Sequence, residues 1–333
     1  MTTTIATCPH CGAPLATTRF ATTVVCSFCD ATVRVDPSSV SASKYRQAWA
    51  EWNDPGDDDD AGRVSIAGTH WATQRLLAKG EISDVYLARR ARWPSELVVL
   101  KVLRDAEDSP LLEQEWRSLE RLRSAAAADH VDLGARVPAP VVMGVLESSA
   151  QRGLGCAYRW AGGFVHTFEA VRDAYPQGID PVASIWVWRR ILEVIGVMRK
   201  AGLVHGAILP NHLLIENGEH GVRLVGFSNA DAPDAPLRVV SSDFTDFYPA
   251  SVLDSQKLTA AADVVMSARC VSYLLRGRAG DTDHVPERLA ELLERAGADG
   301  SHADLDPWKL HKEVGALGKA LFGPPAYHAI PMT

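Results

Sequence analysis

Four thiols stand in two pairs near the start of the chain, Cys8-Pro9-His10-Cys11 and Cys26-Ser27-Phe28-Cys29, with fourteen residues between the pairs. Each Cys-x-x-Cys turn presents two sulfurs to one point, and two such turns at this separation read as a tetrahedral zinc site. The sulfurs bind as thiolates, so metal binding and folding of the module are coupled. A secreted disulfide scaffold would spread its cysteines more widely. A redox role for either pair is the rival reading. Structural Zn²⁺ on Cys8, Cys11, Cys26 and Cys29 is the expected cofactor, with His10 left at the surface. The remaining cysteines, Cys156 and Cys270, lie in apolar contexts and are expected as buried core thiols.

A second set of residues is informative through its order. A turn between two strand-like runs reads Ala78-Lys79-Gly80-Glu81-Ile82-Ser83-Asp84-Val85-Tyr86. It is followed by Val98-Val99-Leu100-Lys101 and by a helical pattern containing Glu115-Trp116-Arg117-Ser118-Leu119. Further on come Val204-His205-Gly206-Ala207-Ile208-Leu209-Pro210-Asn211-His212-Leu213, then Arg223-Leu224-Val225-Gly226-Phe227-Ser228, then Ala262-Asp263-Val264-Val265 at the head of an apolar helix.

In this order the segments resemble a protein kinase: phosphate loop, third-strand lysine, its partner glutamate, catalytic loop, Asp-Phe-Gly strand and core helix. The resemblance spans about residues 71–322. The wording His-Gly-Ala-x-x-Pro-x-His is similar to a group of bacterial kinase-like proteins, and the cysteine module resembles small zinc ribbons. The resemblance implies a bilobal α+β fold. It further implies a Lys101–Glu115 ion pair, a structural His205, and an Asp263 that accepts backbone hydrogen bonds from the catalytic loop.

The departures from the family pattern bear on activity. Phosphoryl transfer needs an aspartate at the nucleophile, and an asparagine and a second aspartate on Mg²⁺. On this alignment those positions are Ala207, His212 and Gly226, and the catalytic-loop lysine is Leu209. Asn211, one place early, restores neither Ala207 nor Gly226. The arginine that pairs with an activation-loop phosphate is Gly206. Ala-Pro-Glu appears as Tyr248-Pro249-Ala250, and its arginine partner aligns with Asp306. Of the phosphate loop's glycines only Gly80 is kept, and Val99 stands where alanine packs on the adenine. Gly80, Lys101 and Glu115 are thus the remnant of a nucleotide pocket, and any ATP binding is expected to be weak and insensitive to Mg²⁺. The resulting expectation is a catalytically inactive pseudokinase acting as a scaffold or regulator of another protein. The enzyme alternative is an atypical kinase with His212, Asp231 or Asp234 as metal ligands. A third reading is a zinc-ribbon nucleic-acid adaptor.

The elements that must position these residues follow from pattern. Runs at 71–77, 84–91, 96–103, 140–147 and 154–160 read as strands. Helical patterns cover 111–128, 182–201, 258–276, 287–296 and 307–321. The expected division is a zinc ribbon at 1–36, a short helix and acidic linker at 37–69, an N-lobe at 70–160 and a C-lobe at 161–333. Within 37–69, Ser38 or Ser39 could cap a helix reaching Trp52, and four aspartates at 57–60 form a solvated run.

The 333 residues carry 34 Lys and Arg against 41 Asp and Glu, a net charge of −7. That balance disfavours a strongly basic nucleic-acid binder. The ribbon sets Arg19 and Arg34 against Asp30 and Asp36 and has no lysine, so nucleic acid is not expected as a partner. No run is long and apolar enough for a membrane helix, and Met1-Thr2-Thr3-Thr4-Ile5 lacks the features of a signal peptide, so a cytoplasmic location is expected. Trp186 and Trp188 share a helix two residues apart, so one of them is expected at a contact surface.

Overall fold

The computed structural model describes residues 3–8, 11, 13–17, 23–34, 62–91, 93–147, 153–216, 221–300, 305–325 and 328–332. The helix expected between Ser38 and Trp52, the acidic run at 57–60 and His10 lie outside these residues.

Two small hairpins come first. β1 (Thr3–Thr7) pairs with β2 (Pro14–Thr17), and β3 (Thr23–Val25) pairs with β4 (Thr32–Arg34), both antiparallel. Each hairpin carries one cysteine pair at its turn. Ala13, Leu15 and Val33 pack with the cysteines as a core of their own.

The N-lobe is a six-stranded antiparallel sheet. Its strands are β5 (Arg63–Ile66), β6 (Thr69–Lys79), β7 (Ser83–Arg90), β8 (Trp93–Leu103), β9 (Pro140–Val145) and β10 (Leu154–Arg159), in the order β5-β6-β7-β8-β10-β9. The sheet curls until its two edges meet. Ile66 bridges to Leu146, and the Gly68 N–H donates to Glu147 Oε1 at 2.6 Å. Trp71, Val98, Leu100 and Leu146 fill the inside of the curl. The sheet therefore reaches back to Arg63, into the stretch read from sequence as linker. β5 has only four residues, too few for alternation to mark, and it is defined by pairing with β6.

α1 (Ser109–Ala128) follows, with proline in its first turn where the missing N–H costs nothing. Its buried face is Leu112, Glu115, Leu119, Leu122 and Ala126, a stripe at helical spacing. Glu115 is the one acid in that stripe.

The C-lobe opens with β11 (Phe164–Thr167), α2 (Phe168–Ala174) and α3 (Pro181–Lys200). β12 (Leu213–Glu216) and β13 (Val222–Leu224) join β11 in a three-stranded sheet. α4 (Ala250–Ser255), α5 (Ala262–Arg276), α6 (Glu287–Gly297) and α7 (Pro307–Phe322) complete it. The strands and helices expected from residue 71 onward are all present, with ends moved by a few residues.

The expectation for Trp186 and Trp188 is overturned. Both are buried, at 1% and 0% exposure. α3 is the central helix of the lobe and has no free side in this stretch. The Trp188 indole donates to Ser267 on α5, and that of Trp186 to the His328 carbonyl in the C-terminal segment. A single apolar cluster runs from Leu103, Leu112 and Leu119 of the N-lobe into Ile191, Leu213 and Val271 of the C-lobe. Among the described residues, no helix is long and apolar enough to cross a membrane.

Candidate functional site

The interlobe site begins with one ion pair. Lys101 lies on β8, and Glu115 faces it from the buried stripe of α1. Lys101 Nζ stands 2.7 Å from Glu115 Oε2, with the two side chains only 13% and 3% exposed. Two further donors complete the carboxylate. The Tyr158 hydroxyl donates to Oε1 at 2.8 Å, and Ser228 Oγ donates to Oε2 at 3.0 Å. Burial works to raise the Glu115 carboxyl. The Lys101 charge and the three hydrogen bonds outweigh it and hold the carboxyl below its ordinary value. Glu115 therefore ties β8, β10, α1 and the turn after β13 into one node. Tyr158 and Ser228 were not anticipated from sequence. The available signal was Ser228 standing directly after Gly226-Phe227, on the turn that faces α1.

Below this node lies the loop 205–212. The Asp263 carboxylate, at the head of α5, accepts the His205 N–H at 2.7 Å and the Gly206 N–H at 2.9 Å. Burial raises the Asp263 carboxyl to about 6, against the lowering effect of those two bonds. His205 is fully buried, with its ring edge-on to Phe227 at 4.6 Å between centroids. The ring of His212 sits beside it. His212 Nδ1 lies 2.8 Å from the Ala207 carbonyl, which can only accept, so Nδ1 carries the proton. Burial lowers both imidazoles and keeps them neutral.

Gly226 completes the arrangement. Its backbone is left-handed, at φ 80° and ψ 50°. A Cβ placed on it would lie 2.6 Å from His212 Nε2. The imidazole thus occupies the space that a side chain at position 226 would need.

The turn at 80–83 closes the site from above. The β6–β7 ladder, irregular at Thr73–Arg75 and Leu76–Ala78, continues to Lys79 and Asp84, and the Gly80 N–H donates to the Ser83 carbonyl at 2.9 Å. A turn bonded across itself in this way offers no open cradle of amides to a phosphate. Glu81 reaches the opposite lobe, where its Oε1 accepts from the Ser242 N–H at 2.9 Å and from Ser242 Oγ at 3.3 Å. Ile82 packs against the interlobe cluster, and so does Val99. The Glu81–Ser242 contact joins residues 161 apart and had no sequence signal.

Compared with solved structures, the chain resembles the kinase domain of Mycobacterium tuberculosis PknI. The TM-score is 0.53 at 19% identity, over 76% of this chain and 97% of that one. A double mutant of the same domain gives 0.55 at 18% identity, over 77% and 97%. The fold is that of a protein kinase. No family model matches the chain, and no curated protein matches its sequence.

Of the other two expected metal ligands, Asp231 is already paired. Asp231 accepts from Arg238 at 2.6 Å and from the Ala232 N–H at 2.8 Å, and its backbone bridges to Val204. Asp234 sits in a turn at φ 67°. The structure does not bring either of them together with His212. The segment at Tyr248-Pro249-Ala250 is held by different groups from those of the family pattern. Arg269 on α5 donates to the Asp246 and Tyr248 carbonyls, and Asp299 accepts both the Ala250 N–H and Arg269. Asp306, aligned with the missing arginine, instead caps α7 through the Trp308 and Lys309 amides.

Among the described residues, one group of metal-capable side chains converges: Cys8, Cys11, Cys26 and Cys29, with all sulfurs within 4.8 Å of one another. The Cys8–Cys29 and Cys11–Cys26 sulfurs are each 3.7 Å apart. Four thiolates about 2.3 Å from a tetrahedral ion have edges of about 3.8 Å, so the set fits a Cys₄ metal centre. The two knuckles are closed alike, by Cys8 N–H to the Ala13 carbonyl and Cys26 N–H to the Ala31 carbonyl.

The second knuckle also touches the kinase fold. The Phe28 carbonyl accepts from Arg189 Nη1 at 3.3 Å, and Asp30 lies 3.7 Å from Arg189 Nη2. The sequence places the acidic stretch between the ribbon and the kinase-like domain as a linker. In the structure they are in contact.

Proposed function

We propose that the protein is a pseudokinase: a kinase fold that no longer transfers phosphate and acts through contact with another protein as a scaffold or regulator. The observation that carries this reading is the His212 ring lodged against Gly226, in the place from which a carboxylate would hold Mg²⁺.

Three further features support it. Ala207 has no side chain to orient a nucleophile, and its carbonyl is taken by His212. An imidazole is a poor ligand for Mg²⁺, which prefers oxygen. The turn at 80–83, bonded across itself, offers no open amides to a phosphate, whereas the Lys101–Glu115 pair is shared with active kinases and favours neither reading. ATP carries about four negative charges, which catalysis by this fold neutralises with metal and positioned cations. At the family's positions the chain lacks the metal ligands.

The test is a thermal-shift and radiolabel assay with ATP, with and without Mg²⁺ or Mn²⁺, alongside Lys101→Ala. The expected result is a small, metal-independent shift or none, and no label transfer. Metal-dependent stabilisation, with transfer that vanishes in the mutant, would establish an atypical kinase instead.

The four cysteines hold structural Zn²⁺ on this reading. Bound zinc supplies a crosslink between two hairpins that are too small to fold independently. Purified protein is expected to contain one Zn²⁺ per chain, and Cys26→Ser to lose it. Metal analysis of protein prepared without chelator checks both, and a metal-free chain would remove the zinc assignment.

A further inference from the structure

The Cys26–Cys29 knuckle has an outer side that the metal does not use. Phe28 projects from it onto the C-lobe, beside Val182, Ile185 and Trp186 of α3 and Gly318 and Phe322 of α7. A cavity of about 80 Å³ remains at this seam. The seam is built for close approach. Gly318 lies in the interior of α7, where glycine costs about 1 kcal/mol relative to alanine. A Cβ there would come within 2.7 Å of Ile185 Cγ2. Arg189 then joins the three parts. Its Nε donates to His311 on α7 at 3.2 Å, and its Nη groups hold the Phe28 carbonyl and Asp30.

We infer that the α3–α7 face of the C-lobe is the receptor for this chain's own second knuckle, and that metal binding controls whether the knuckle occupies it. The inference rests on the Cys₄ metal reading. Its physical basis is the weakness of the ribbon without an ion. β3 and β4 share three residue pairs, and the turn between them is closed by the Cys26–Ala31 and Asp30–Cys26 backbone bonds. A two-stranded hairpin of that size is not stable alone in water. Loss of the metal releases the turn, withdraws Phe28 and uncovers apolar surface between α3 and α7. Return of the metal covers it again.

Hydroxyl-radical footprinting of the full chain tests this, read at Phe28, Ile185 and Phe322, with metal content measured separately. Chelation is expected to raise labelling at all three residues by at least about threefold, and added Zn²⁺ alone to reverse it. Phe28→Ser is expected to retain one metal per chain yet raise labelling at Ile185 and Phe322 as chelation does. Equal labelling of loaded and chelated protein would overturn metal control. Unchanged labelling at Ile185 and Phe322 in Phe28→Ser would overturn the receptor face. If the purified chain holds no metal, the metal reading and metal control fall together, and the Phe28→Ser arm still decides whether the face is occupied.

Discussion

Lys101→Met is expected to destabilise the protein by about 3–5 kcal/mol, because it leaves the Glu115 carboxylate buried without its counter-charge. The remaining donors, Tyr158 and Ser228, are neutral and cannot balance an ion in the interior. For a domain of this size the loss corresponds to a fall in melting temperature on the order of 10 °C. Lys101→Met combined with Glu115→Gln is expected to recover more than half of it, since the buried charge is then gone. The pH dependence has a definite sign. In the native protein Glu115 is held below its ordinary value. Its contribution is therefore present above that ordinary value and is lost as pH falls through the lowered one. In Lys101→Met burial outweighs the two remaining hydrogen bonds and lifts the carboxyl, so the penalty grows as pH rises and shrinks as pH falls. The gap between the two proteins should be wide near pH 7 and narrower near about pH 5. Urea titrations at the two pH values measure it. A loss under about 1 kcal/mol, or a gap that widens on acidification, would refute the role given to the pair.

Restoring the family's aspartate at position 226 is expected to harm the protein. Gly226→Asp should cost on the order of 3 kcal/mol. The left-handed backbone contributes little of that, because aspartate is among the residues that tolerate it. The larger part is the collision with His212. Overfilling a packed site costs about 1–3 kcal/mol, and the new carboxylate stands half-buried beside a neutral ring. Gly226→Asp with His212→Asn removes the collision, and the pair should show a coupling of at least about 1 kcal/mol in a double-mutant cycle. Ala207 remains in the double variant, so no phosphate transfer is expected from it. Chemical denaturation of the four proteins gives the cycle directly. If Gly226→Asp alone is tolerated within about 0.5 kcal/mol, the imidazole does not fill the metal position, and the case for a closed site fails.

What was legible in the sequence depended on how locally each feature is encoded. The cysteine pairs were legible because both knuckles are short turns. Lys101, Glu115, His205 and Asp263 were legible through order along the chain, although no single segment was persuasive. The absence of side chains at 207 and 226 could be read directly. The fate of the vacated space could not, because it depends on the His212 rotamer and its bond to the Ala207 carbonyl. Tyr158 and Ser228 were missed for a related reason: which face of a strand or turn meets α1 is set by the curl of the sheet. Periodicity misread Trp186 and Trp188 because it assumes a helix with one wet side, and α3 has none there. The contact between Phe28 and Arg189 joins residues 161 apart and belongs wholly to tertiary structure.

The apolar cluster that runs unbroken from β8 and α1 into α3 and α5 has a mechanical consequence. A kinase that turns over must part its lobes to admit nucleotide and release product, so its cleft is a low-energy opening. Here the same movement would pull Ile82 and Val99 off the shared core and break the hold of Glu81 on Ser242. Opening then resembles the start of global unfolding more than a functional excursion, and the two lobes make one cooperative unit. A surface that spans both lobes is therefore held in one arrangement by the shared core.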